Sequence, residues 1–71
     1  MSQLLIYTKT GCPYCKAALE KYQKDGVDFR EINTSEDPQA LQYIKETFNA
    51  KQVPVIVRDG ELVEIGFQGG G

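Results

Sequence analysis

Two cysteines, Cys12 and Cys15, flank Pro13 and Tyr14 at the point where an apolar run ends and a helical pattern begins. That junction constrains the fold more than any other part of the chain. The run Leu4-Leu5-Ile6-Tyr7-Thr8 is short and nearly continuous, as in a strand buried on both faces. Pro13 suits the first turn of a helix, where its missing N–H costs nothing. Ala18, Leu19 and Tyr22 follow at helical spacing, and Gly26 supplies a C-terminal stop. A strand therefore hands over to a helix at Cys12, whose sulfur lies among unpaired backbone N–H groups at the positive end of the helix. The thiolate is favoured there, and it is the nucleophile of disulfide exchange. Cys15, about one turn further in, is expected to stay protonated until it attacks a mixed disulfide formed at Cys12.

The rest of the pattern repeats the alternation of strand and helix. Val27 to Ile32 alternates apolar and polar residues and reads as a second strand. Ser35-Glu36-Asp37-Pro38 carries helix-start chemistry, and Leu41, Ile44 and Phe48 then mark the buried stripe of a second helix. Val53 to Val57 reads as a third strand, Asp59-Gly60 as a tight hairpin, and Leu62 to Ile65 as a fourth strand. The order β-α-β-α-β-β predicts an α/β fold, with a mixed four-stranded sheet covered by two helices. Its first strand pair is expected to be parallel and its last hairpin antiparallel. Pro54 stands where the third strand begins, a place where the ladder loses a donor. A trans proline at the first residue of a strand is one reading. A cis Val53–Pro54 bond that turns the backbone toward the dithiol is the other.

With 71 residues the chain makes one small domain, taken as residues 1–68, and the glycines at 69–71 form a tail expected to be mobile. No apolar run approaches a membrane span, and the start lacks the features of a signal peptide. A cytoplasmic location is the expectation, and there a cysteine pair is catalytic or metal-binding rather than structural. Zinc would need two more ligands, and the chain has no other cysteine and no histidine, so no metal is expected. A net charge of −2 argues against nucleic-acid binding. The only charges before Glu20 are Lys9 and Lys16, which flank the cysteines and suit a thiolate and an anionic thiol substrate.

Lys9-Thr10-Gly11-Cys12-Pro13-Tyr14-Cys15, Val53-Pro54-Val55 and the glycine after the hairpin, Gly66, together resemble the glutaredoxins of the thioredoxin-like superfamily. The resemblance runs from Met1 to about Gln68 and implies a thioredoxin-like fold whose C-terminal helix is missing here. It favours the cis form of Val53–Pro54. It implies a glutathione-dependent thiol–disulfide oxidoreductase with Cys12 as nucleophile and Cys15 as resolving thiol. Glutathione, as co-substrate, would meet Lys9 with its carboxylate, the backbone of Val53 with its cysteine moiety, and Gly66, Phe67 and Gln68 with its γ-glutamyl end. Tyr14, Gln52 and Pro54 would line the groove. The implied partners are glutathione, glutathionylated or disulfide-containing proteins, and the glutathione reductase or thioredoxin reductase system, acting on a monomer.

Three departures separate this chain from the usual family pattern. Gln52 replaces the threonine that commonly precedes Val-Pro, Ile65-Gly66-Phe67-Gln68 lacks a second glycine and an acid, and the last helix is absent. The Gly-Phe pair is similar to the glutaredoxin-like hydrogen donors of ribonucleotide reductase, which are reduced by thioredoxin reductase. The motif and glycine-rich end also resemble short glutaredoxin-like selenoproteins in which selenocysteine takes the place of Cys12. A third alternative is a [2Fe–2S] carrier, using Cys12 of two subunits and two glutathiones. The stiff, bulky Pro13-Tyr14 loop and the competing Cys15 weigh against it.

Overall fold

The computed structural model describes residues 3–66. The elements are β1 (Leu4–Thr8), α1 (Pro13–Lys24), β2 (Phe29–Asn33), α2 (Pro38–Phe48), β3 (Val55–Arg58) and β4 (Glu61–Ile65). They build one four-stranded sheet in the order β2-β1-β3-β4. β1 and β2 run parallel, with Leu4 opposite Phe29 and Thr8 opposite Asn33. β1 and β3 are antiparallel, as are β3 and β4. The mixed sheet and two helices agree with the expected architecture, which is thioredoxin-like.

Strand alternation divides the core into two layers. Leu4, Ile6 and Ile56 point to one face, where Leu19 and Tyr22 of α1 cover them. Tyr7, Val55 and Val57 point to the other, where Ile44 and the flanking Leu41 and Phe48 of α2 pack. β1 and β3 are thus apolar on both faces because each face carries a helix. Ile6, Ile44 and Ile56 are fully buried, each worth about 1.5–3 kcal/mol relative to exposure.

Local chemistry sets the ends of the elements. The Asp37 carboxylate caps α2 by accepting the Ala40 N–H at 3.1 Å, with Pro38 in the first turn. Asn49, at φ 54°, ends α2 in the left-handed conformation, and the Ala50 N–H returns to the Ile44 carbonyl. Asp59 and Gly60 both have positive φ, 50° and 83°, as a two-residue hairpin with primed geometry requires. The Asp59 side chain also accepts the Gln3 N–H at 2.8 Å, tying the hairpin to the start of β1.

Three boundaries differ from the sequence expectation. β2 spans Phe29–Asn33 rather than 27–32, because the Val27 N–H donates to the Tyr22 carbonyl at 3.0 Å and closes the turn after α1. β3 starts at Val55 rather than Val53, because the Val53–Pro54 peptide is cis and bends the chain before the ladder begins. β4 starts at Glu61 and carries an extra residue, with Val57 opposite Leu62 but Ile56 opposite Glu64, so Val63 bulges out.

Removing the helix cap with Asp37→Ala should lower stability by about 1 kcal/mol. Ile44→Ala should cost about 2–5 kcal/mol by opening a cavity under α2. Urea titration should show both losses as lower midpoints at an unchanged slope. A larger loss from the cap variant than from the core variant would contradict this division of the core.

Candidate active site

Cys12 is the residue that caps α1. Its backbone is extended (φ −91°, ψ 111°), and its Sγ accepts the Cys15 N–H at 3.3 Å. Its carbonyl takes the first helical hydrogen bond, from the Lys16 N–H at 3.2 Å. From the opposite side the Val53 carbonyl approaches Cys12 Sγ to 3.9 Å and accepts from the thiol. The sulfur is therefore held between a helix N–H, which stabilises charge on it, and a carbonyl of the turn that leads into cis-Pro54. Cys12 is 7% exposed and Cys15 only 2%, so an incoming disulfide meets Cys12 first. Both are free thiols. Burial, followed by the contact with the Cys12 sulfur, pushes the Cys15 thiol up to about 12, against an opposing effect of Lys9.

The segment leading into the dithiol is anchored to the end of β2 by a polar network. The Thr34 hydroxyl and N–H both donate to the Thr8 carbonyl at 2.7 Å, and the Thr8 hydroxyl donates to the Glu31 carboxylate at 2.8 Å. The Thr10 N–H donates to Ser35 Oγ, and the Asn33 side chain donates to Thr10 Oγ1. Residues 8–10 are thereby fixed relative to the sheet before the chain turns into α1. Sequence reasoning passed over this network. The available signal was the polar run Asn33-Thr34-Ser35 directly after a strand.

Among the described residues, five of the expected site residues line hollows at the dithiol. Cys12, Cys15 and Lys9 line one hollow of about 580 Å³, together with Lys16 and Glu31. Lys9, Gln52 and Val53 line a neighbouring one of about 250 Å³. Lys9 and Gln52 are exposed, while Val53 and Pro54 are buried. The Val53 backbone lies beside the sulfur through its carbonyl, 3.9 Å from Cys12 Sγ. Gly66 is buried at φ 83° and donates its N–H to the Pro54 carbonyl at 2.7 Å, so the chain after β4 is stitched to the cis-proline turn. Tyr14, Pro54 and Gly66 line neither hollow, Tyr14 being 43% exposed on the first turn of α1 and the other two buried. Phe67, Gln68 and the tail at 69–71 lie outside the described residues. Among the described residues no group of three or more His, Cys, Asp and Glu side chains is placed to hold a metal ion.

Comparison with known proteins agrees with this geometry. The Gene 56 protein of Mycobacterium phage L5 is 32% identical over 63 residues, which is 89% of this chain but 61% of that protein's length. The glutaredoxin of Pseudomonas aeruginosa is 36% identical over 56 residues, covering 79% of this chain and 67% of its own. The solved structure of the glutaredoxin-like protein NrdH-redoxin from Escherichia coli superposes with a TM-score of 0.81 at 30% identity, over 93% of this chain and 84% of that one. The glutaredoxin family model matches residues 4–63, from the first residue of β1 to the bulge in β4. A match that runs from β1 into β4 and contains the capped dithiol means that this chain belongs to the glutaredoxin family.

Proposed function

We propose that the protein is a thiol–disulfide oxidoreductase that works through Cys12 and Cys15 and draws its electrons from glutathione. The observation that carries this reading is the Cys12 sulfur held between the Cys15 N–H and the Val53 carbonyl. Cys12 as thiolate attacks one sulfur of a substrate disulfide. A new S–S bond forms at Cys12, the old one breaks, and the departing thiolate takes up a proton. The charge that develops on Cys12 when it leaves again is met by the Cys15 N–H.

Two routes resolve the mixed disulfide. In the first, Cys15 loses its proton and attacks Cys12 Sγ, releasing the second substrate thiol and leaving a Cys12–Cys15 disulfide. Two molecules of glutathione reduce that disulfide in turn. In the second, a glutathione thiolate resolves the mixed disulfide directly and Cys15 is not used. A thiol raised to about 12 suits a residue that must not compete with Cys12 for the incoming disulfide. Lys9, exposed at the mouth of both hollows, is placed to meet a glutathione carboxylate. The Val53 backbone would pair with the cysteine moiety as a short added strand. Gly66, whose N–H donates to the Pro54 carbonyl, would lie toward the γ-glutamyl end.

A second reading has its own support. The chain superposes closely on a redoxin described as having a thioredoxin-like activity profile. Reduction by thioredoxin reductase is therefore the competing electron source.

The deciding assay is reduction of a glutathionylated peptide with glutathione, NADPH and glutathione reductase. Cys12→Ser should abolish turnover, a loss of more than about a hundredfold, while Cys15→Ser retains it. Turnover that vanishes with Cys15→Ser would remove the direct glutathione route. No turnover at all, with rapid reduction of the protein by thioredoxin reductase, would establish the second reading.

Brief exposure to iodoacetamide at pH 7 should label Cys12 and leave Cys15 unlabelled, because only about one Cys15 in 10⁵ would be ionised. Cys15 labelling in a Cys12→Ser background should rise about tenfold per pH unit while the fold persists. Peptide mass spectrometry reads both, and equal labelling of the two cysteines at pH 7 would contradict the site geometry.

A further inference from the structure

The resolving step requires Cys15 to lose a proton, yet Cys15 is buried and that burial holds its thiol protonated. On its inner side it belongs to an apolar cluster with Ile44 and Val55, whose side chains offer no acceptor. Its other side borders the hollow of about 580 Å³ between the start of α1 and the ends of β1 and β2. That volume far exceeds the roughly 30 Å³ share of one water. Thr8, Thr10, Glu31 and Asn33 form its polar wall, and Lys9 and Lys16 are the cations that border it. The Asn33 amide is already committed, donating to Thr10 Oγ1 at 3.2 Å and accepting the Ser35 N–H at 2.8 Å. Among the described lining residues Glu31 is the one carboxylate. Its Oε2 accepts the Thr8 hydroxyl at 2.8 Å, and a carboxylate has room for further donors. Thr8 is fully buried and its carbonyl is taken by two donors from Thr34. Its hydroxyl therefore links the buried end of β1 to the exposed Glu31, and it keeps lone pairs for a water in the hollow.

We propose that Glu31 is the proton acceptor for Cys15, reached through water in the hollow and the Thr8 hydroxyl. The inference rests on the disulfide-reductase reading, and on its dithiol route in particular. It adds two positioning residues, Thr8 and Glu31, that act on Cys15 through water. The step starts from the mixed disulfide at Cys12. The Cys15 proton passes to a water, the water gives one to Thr8, and the Thr8 proton passes to Glu31. The Cys15 thiolate then attacks Cys12 Sγ and a Cys12–Cys15 bond forms. The substrate sulfur leaves with the electron pair of the broken bond and takes a proton from solvent. Glu31 is exposed and returns its own proton to solvent. Two thiols have become one disulfide, and two electrons have reached the substrate. Lys9 and Lys16 border the same space but cannot take this proton, because an ammonium has no acceptor. An acceptor inside the site matters because hydroxide is scarce at neutral pH and Cys15 is shielded from it.

The test is stopped-flow reaction of the fully reduced, full-length chain with less than one equivalent of dithiobis(nitrobenzoate), whose released thiolates are coloured. The first thiolate reports attack by Cys12 and the second reports resolution by Cys15. No recycling enzyme is present, so the result does not depend on the electron source. In the wild type the second phase should be nearly level between about pH 6 and 8. In Glu31→Gln and in Thr8→Val it should slow about tenfold to a hundredfold relative to the first phase at pH 7, and rise about tenfold per pH unit. The double variant Thr8→Val/Glu31→Gln should be no slower than the slower single variant, because the two residues act as one path. Formate should restore the second phase of Glu31→Ala, since the open hollow admits a small carboxylate. A wild-type second phase that already rises tenfold per pH unit would overturn the proposal, as would a Glu31→Gln chain with the wild-type ratio and pH profile. Equal slowing of both phases without rescue by formate would also overturn it, leaving the pair as a clamp between β1 and β2. Release of a single thiolate by the wild type would instead overturn the dithiol route, and this inference with it.

Discussion

The start of a helix leaves backbone N–H groups without partners, and the sulfur of Cys12 accepts one of them. Much of the site follows from that contact. Because Cys12 is the cap, its backbone is extended and its side chain turns back over the first turn of α1. Because Pro13 follows it, the first helical position needs no donor. Because Cys15 is the residue whose N–H is used, its own side chain is carried inward to the core, where burial holds it protonated. Two chemically identical thiols become different through position alone, one slightly exposed on a hydrogen-bond donor and the other more deeply buried one turn further along.

The second half of the site comes from 41 residues away. The turn through Val53 and Pro54 reaches Cys12 because β3 lies next to β1 in the sheet, and the segment before β3 therefore arrives at the end of β1 where α1 begins. Tyr7 opposite Val55 is the last pair of that ladder, one step from the dithiol segment on one side and from Pro54 on the other. The Gly66 N–H donating to the Pro54 carbonyl brings the end of the β4 hairpin to the same place. Polar residues at the end of β2 hold the remaining approach, residues 8–10, through Thr34, Ser35 and Asn33. Three segments distant in sequence meet at one end of the sheet, and the active-site cysteines stand where they converge.

The charge distribution follows from the same arrangement. α2 ends next to the loop that leads into cis-Pro54, so Lys45 in its last turn and Lys51 in that loop face the hollow that Lys9 borders from the other side. The carboxylates Asp59 and Glu61 belong to a hairpin turn at the opposite end of the sheet, beside Arg58 and Leu4. A chain with a small net negative charge can therefore present a local positive surface at its nucleophile. In that setting electrostatics acts on the choice of partner more than on stability.

Order, type and chemistry of the elements were legible in the residues themselves. Continuous apolar runs, helical spacing of Leu41, Ile44 and Phe48, the Asp37-Pro38 start and the Asp59-Gly60 turn all act over a few residues. Such short-range preferences survive without knowledge of the fold. The Cys12–Cys15 motif was readable for the same reason, since a cap and its helix are adjacent in sequence. The bulge at Val63 and the return of Val27 into the α1 turn were not, because each depends on which strand or helix lies alongside, whereas the cis Val53–Pro54 bond was favoured by the family resemblance and is found. Tyr14 is 43% exposed at the start of α1, outside both hollows. The joining of Lys9, Lys45 and Lys51 around one cavity was decided by tertiary structure alone, because only the packing of α2 against the sheet brings those three charges together.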